Sequence, residues 1–171
     1  ANLGPGFDVA GLALTLYNTF TFELADQGLN ITGCPEQFCN EENMTYQAFK
    51  QAAEICGLEY QGVNIECSGD VPYTRGLGSS STCIVAGIVG AFAFKDKVED
   101  RQEILELATA IEGHPDNVAP AIFGGLTVSV MEEDNVLTLN IPVKHDYRFV
   151  TLIPPFTLST EQSRSVLPQV L

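Results

Sequence analysis

The sequence predicts an α+β domain in which a sheet layer packs against a helix layer, and three observations predict it. Short segments alternate apolar and polar residues at period two, and longer segments repeat apolar residues at helical spacing. Strand-like runs also follow one another at hairpin spacing towards the end of the chain, a mixture that favours layered α+β over a purely helical or purely β fold.

The elements follow in order. Phe20, Phe22 and Leu24 in NTFTFEL, residues 18–24, mark a half-buried strand. Asn43 is placed to cap a helix carrying Met44, Ala48, Phe49, Ala52 and Ile55, which Gly57 stops. Val63, Ile65 and Cys67 alternate as a second strand. After a glycine-serine turn, Ile84, Val85, Ile88, Val89 and Phe92 make a helix apolar on every side, hence buried. DKVED, residues 96–100, is a solvated connection. Ile104, Leu105, Leu107, Ala108 and Ile111 then form a helix ending at Gly113. Beyond HPDNVAPAIFGG, the segments 126–131, 136–141 and 148–153 read as strands, and no internal repeat interrupts the series.

Composition narrows the function. At 171 residues and 45% hydrophobic content the chain can bury a core. It has no long charge-free apolar run and no basic-then-apolar leader, so it reads as a cytoplasmic protein with no membrane partner. The net charge of −14 repels nucleic acid and anionic lipid. Any phosphate ligand must therefore be held by local backbone donors and a divalent cation. Five cysteines without a Cys-x-x-Cys pair fit reduced thiols, and Cys34 and Cys39 read as loop thiols rather than metal ligands.

The segment RGLGSSSTCIVAG, residues 75–87, carries the clearest chemistry. Glycines and serines entering a helix let the backbone approach a ligand, and they aim unpaired N–H groups and the positive end of the helix dipole at it. That is a phosphate cradle. No lysine follows Gly78, so the pattern is not a Walker loop, and a plain connection capped by Ser79 is the ordinary alternative.

Three segments taken together, ANLGPGFD at 1–8, VPYTRGLGSSS at 71–81 and EGHPDNVAPAIFGG at 112–125, resemble the motifs of the GHMP small-molecule kinases. With STEQSRSVLP at 159–168, the resemblance is nearest to the homoserine kinase branch. It implies the two-layer fold also seen in the second domain of ribosomal protein S5, with ATP and Mg²⁺ as cofactors. The reaction it implies is phosphorylation of the L-homoserine hydroxyl, a step in threonine biosynthesis. Another small alcohol, or a non-catalytic fragment with weak nucleotide binding, are the alternatives.

Residue by residue, the resemblance assigns Pro72, Arg75, Gly76, Leu77, Gly78, Ser79, Ser80 and Ser81 to the nucleotide, with Asn43 near the adenine. Ser80 and a helix glutamate hold the magnesium. An offset of eleven positions before Asn117 selects Glu106, with Glu112 as the rival. Asn2, Asp8, Asn117 and Arg164 form the homoserine pocket, in which Asp8 pairs with the ammonium and Arg164 forks onto the carboxylate. An Asx-type turn explains Asn2 and Asp8 equally simply.

Several relatives in the superfamily carry aspartate where Asn117 stands, and an amide cannot act as general base. Catalysis then rests on alignment and charge neutralisation by Asn117, Ser80 and Glu106, with the neighbouring Asp116 a weaker candidate base. His114 braces the HPDN loop, and His145 has no evident partner. The chain opens inside the first motif, and family members continue into a second domain. It therefore reads as an N-terminal ATP-binding domain over 1–171 lacking its first strand, with the C-terminal domain absent or only beginning after about residue 155. The resemblance leaves room for a homodimer.

Overall fold

A computed structural model of the chain describes residues 6, 8–98, 100–132, 135–143, 148–151 and 153. The fold is α+β. Its strands are β1 (Ala10–Leu12), β2 (Asn18–Ala25), β3 (Gly28–Thr32), β4 (Gly62–Gly69), β5 (Leu126–Glu132) and β6 (Asn135–Ile141). Its helices are α1 (Met44–Cys56), α2 (Ser79–Ala93), α3 (Arg101–Glu112) and α4 (Val118–Phe123). One sheet runs β2-β4-β3 and the other β1-β5-β6.

β4 is antiparallel to β2 and parallel to β3. A parallel pair needs a long crossover, which α1 supplies between β3 and β4. The two-residue link from β2 to β3 must then pass over the start of β4. It passes at Gly62, where a Cβ would lie 2.3 Å from the carbonyl carbon of Gln27.

Helix ends follow the local chemistry. The Asn43 side chain accepts from the N–H groups of Thr45 and Tyr46, and Gly57 ends α1 at φ 67°. Asp100 caps α3 through the N–H of Glu103, and Gly113 ends it at φ 89°. The core forms where α1 and α2 cross. A Cβ on Gly87 would come within 2.3 Å of the Thr45 carbonyl oxygen, so this glycine sets how closely the two helices approach. Beneath them Phe22 and Phe49 stack with centroids 5.5 Å apart, among Ile65, Ile84, Ile88 and Phe92.

Two expectations change. The segment 148–153 has no strand among its described residues, because Phe149 and Val150 stand exposed with no neighbouring strand. β1 and β3 were not foreseen: three residues are too few to show a period, and GLNIT alternates only weakly. No helix among the described residues is long and apolar enough to cross a membrane.

Candidate active site

The loop 70–78 leads into α2 and carries Pro72, Arg75, Gly76 and Leu77, so the predicted nucleotide residues are contiguous through Ser81. Gly76 and Gly78 adopt φ of 68° and 77°, the left-handed region glycine tolerates. Gly78 is the N-cap and offers no side chain, so nothing covers the first N–H groups of α2 from that position. The first backbone bond runs from the N–H of Thr82 to the carbonyl of Gly78. The N–H groups of Ser79, Ser80 and Ser81 therefore precede the hydrogen-bonded ladder, at the positive end of a 15-residue helix. Asn18 anchors this turn from β2. Its amide donates to Thr82 Oγ1 at 3.2 Å, and its carbonyl accepts from the Val71 N–H at 3.1 Å.

The carboxylate beside this helix end belongs to Glu112. Ser80 Oγ donates to Glu112 Oε1 at 2.6 Å, and Ser81 Oγ donates to the same oxygen at 3.3 Å. The expectation of Glu106 at this place is corrected. Six residues along an α-helix turn the side chain through about 240°, so Glu106 faces elsewhere. It accepts from Gln102 Nε2 at 2.6 Å and lines a groove with Ile55 and Met131.

The turn between α3 and α4 supplies the other wall. Asp116 is fully buried. One of its oxygens lies 2.6 Å from His114 Nδ1 and accepts from Asn117 Nδ2 at 3.0 Å, and the other accepts from the Asp8 N–H at 3.2 Å. Each oxygen is thus engaged in bracing, which counts against Asp116 as a general base. The bond to Asp116 raises the pKa of His114 above its ordinary 6.5, against the opposing effect of burial.

Gly11 makes room for this turn, because a Cβ there would lie 1.6 Å from the Asp116 carbonyl oxygen. Asp8, at φ 64°, sits where β1 approaches the turn. Asn117 Oδ1 is buried without a partner among the described residues. It faces Gly78, 3.9 Å from where a Cβ of that residue would stand. An unsatisfied amide oxygen is thereby aimed at the start of α2.

Asn43 does not join this group. Its carbonyl caps α1, and its amide donates to the Phe38 carbonyl at 2.8 Å, which is the helix-cap geometry its place before α1 predicts. Asn2, Arg164 and His145 lie outside the described residues.

With this geometry established, known proteins supply the context. Residues 43–125 match the family described as GHMP kinases N terminal domain. That stretch is similar to GHMP kinase N-terminal domains. The chain is 50% identical over 170 residues to a homoserine kinase of Clostridium beijerinckii, covering 99% of the chain and 57% of that protein. It is 46% identical to a homoserine kinase of Clostridium botulinum, with the same coverage. The crystal structure of a homoserine kinase from Cytophaga hutchinsonii superposes with a TM-score of 0.75 at 26% identity, over 97% of this chain and 56% of that one. The chain thus spans little more than half the length of the relatives it matches.

The GHMP match includes both parts of the site, the glycine-serine turn at 76–81 and the turn at 113–117. Asn18 and Gly11, which the sequence reading missed, lie outside it. Each carries a side-chain or backbone constraint that no periodicity reveals.

Proposed function

We propose that the chain is the nucleotide-binding part of a cytoplasmic homoserine kinase, which transfers the terminal phosphoryl group of ATP to the side-chain hydroxyl of L-homoserine on the route to threonine. The observation that carries this reading is the juxtaposition of the uncapped start of α2, the Ser80–Glu112 pair and the unsatisfied Asn117 amide. The relatives named homoserine kinase, at 46–50% identity across nearly the whole chain, support the choice of substrate.

The residues present fit the cofactors. Ser80 Oγ and Glu112 Oε1 are hard oxygen donors at hydrogen-bond distance, the ligand class magnesium takes. Glu112 replaces Glu106 in that role. The N–H groups of Ser79, Ser80 and Ser81 suit phosphate oxygens. When bound, Mg²⁺ neutralises phosphate charge during transfer.

The protein's own part is alignment. Asp116 holds Asn117 and the Asp8 backbone in place, and Asp8 with Asn117 orients the acceptor. Asn2 and Arg164 complete the acceptor pocket in this reading, with the guanidinium forked onto the homoserine carboxylate. No side chain here needs to remove the hydroxyl proton, since a loose transition state asks chiefly for position and charge.

Release of ADP by the full-length protein, with and without L-homoserine, tests the reading. Homoserine-dependent turnover is expected, and ADP release indifferent to homoserine would overturn it. Arg164→Ala should raise the KM for homoserine by roughly 10- to 150-fold while leaving that for ATP nearly unchanged.

A further inference from the structure

Cys34 and Cys39 flank a short 3-10 turn, Glu36–Phe38, that follows β3, and their sulfurs lie 3.6 Å apart. The Cys39 thiol also points at the carbonyls of Cys34 and Pro35, both at 3.7 Å. Polar side chains fix the turn that brings the two together. Asn40 Nδ2 donates to the Gln37 carbonyl at 2.8 Å, and Asn43 Nδ2 donates to that of Phe38 at 2.8 Å. Cys39 is exposed and Cys34 is half-buried. The turn stands against the loop 70–78, where the rings of Phe38 and Tyr73 meet at 5.8 Å. None of these groups takes part in the kinase reading.

We propose that Cys34 and Cys39 form a dithiol site, closed to an intrachain disulfide by exchange with an oxidised low-molecular-weight disulfide and, while reduced, able to chelate a trivalent arsenical. The sulfurs need to approach by about 1.5 Å to reach a bond length near 2.05 Å. A pair five residues apart with its thiols already facing is built for that movement.

The steps follow from exposure. Burial first, then the hydrogen bond and charge of Cys39, push the Cys34 thiol up to about 12 and keep it protonated. Cys39 is therefore the sulfur an oxidant reaches. Its thiolate attacks one sulfur of the disulfide RS–SR, forming a Cys39–SR mixed disulfide and releasing RS⁻. That capture removes the Cys39 thiol, one of the groups that holds the Cys34 proton. Cys34 then loses its proton to water and attacks the Cys39 sulfur. The Cys34–Cys39 bond forms, the mixed bond breaks and a second RS⁻ departs. Two thiols are oxidised and one external disulfide is reduced to two thiols.

The full-length protein, equilibrated with mixtures of reduced and oxidised glutathione, acid-quenched, alkylated and mapped by mass spectrometry, provides the test. The expected product has Cys34 and Cys39 joined, two hydrogens lighter, while Cys56, Cys67 and Cys83 remain alkylated. Phenylarsine oxide should bind the reduced wild type, two As–S bonds forming as the arsenic oxygen leaves as water with the two thiol protons, and either Cys34→Ser or Cys39→Ser should weaken its retention by about 10²-fold, since a single thiol loses the chelate. Glutathione stopping as a stable adduct on Cys39, a bond to Cys67 or Cys83 instead, or arsenical retention unchanged in both variants would overturn the proposal.

Discussion

Glu112 stands at the C-terminal end of α3, where the helix dipole disfavours a carboxylate, yet its oxygen reaches the positive end of α2 through Ser80 and Ser81. A charge held against its own helix and toward another is placed for a ligand rather than for helix stability. Glu112→Gln keeps the shape and removes the charge, so if the proposed kinase function holds, kcat of the full-length protein should fall by about 10²-fold or more and recover only partly at high Mg²⁺. Glu106→Gln should stay within about twofold, because that side chain only bonds Gln102 on the exposed flank. Steady-state rates over a magnesium titration decide between them. His114 titrates in the opposite sense to a carboxylate. Its folded pKa is raised, so its pairing with Asp116 adds stability that is full below the unfolded value of about 6.5 and lost as pH rises through the folded value. Thermal melts of wild type and His114→Gln should differ most below the unfolded value and converge as pH rises past the raised folded value, and a gap that widens with pH would refute the assignment. The residue types that meet here were legible in the sequence as a glycine-serine turn entering a helix and an HPDN loop. Which of two glutamates faces the cradle was not, since a fixed offset carries no information about helical phase. Nor could a sequence show that Asp116 braces its neighbours, because adjacent residues reveal their directions only when the turn is built.

At the scale of elements, α2 concentrates both structure and function. Its interior glycines run against helix propensity by about 1 kcal/mol each relative to alanine, and close packing is the compensation. Gly87 lies under α1, and Gly90 lies against the Phe22 ring, which a Cβ would meet at 2.7 Å. Gly87→Ala should therefore destabilise the domain by about 1–3 kcal/mol, since the nearest obstacle is backbone rather than a flexible side chain. In a chain of this size that corresponds to roughly 2–4 °C in Tm for each kcal/mol. Calorimetric melts measure it, and an unchanged Tm would show that the helices can separate freely. Gly78→Val acts at the other end of the element. It strains a position at φ 77° and adds bulk where the backbone must meet a ligand, so nucleotide binding by titration calorimetry should vanish while the helical circular dichroism remains. α1, α2 and α3 were legible because their caps and apolar spacing are local: Asn43 and Gly57 do what their chemistry requires. β1 and β3 were not, because each becomes a strand only through its partner. β1 is set by Leu126–Val128 of β5 and β3 by the β4 register.

Over the molecule as a whole, the β1-β5-β6 sheet turns its sides against the usual pattern. Thr127 and Ser129 are buried, and Ser129 bonds Thr138 across the strands at 2.9 Å. The opposite face shows Val130, Leu137, Leu139 and Ile141 to solvent, with Leu139 at 72% exposure. The register explains the clustering: Val130 lies across from Leu137, Val128 from Leu139 and Leu126 from Ile141, so these side chains share one face. β6 is also the outer strand of that sheet among the described residues, its Val136 carbonyl accepting from Gln102 Nε2 at 2.9 Å. An apolar face on an outer strand favours contact between molecules through both hydrophobic area and backbone hydrogen bonds. The 171-residue chain expressed by itself should therefore associate as concentration rises, despite a net charge of −14 that opposes it. The double substitution Leu137→Lys with Leu139→Lys places two charges on the face and on the edge strand without touching the buried side, where Val136 packs. Sedimentation velocity across a concentration series should show the wild-type distribution shifting to larger species and the double variant remaining near monomer. Melting temperatures should stay within a few degrees, since exposed positions change stability by only about 0.5 kcal/mol each. A wild-type chain that sediments as a monomer throughout would show that charge repulsion outweighs the exposed face.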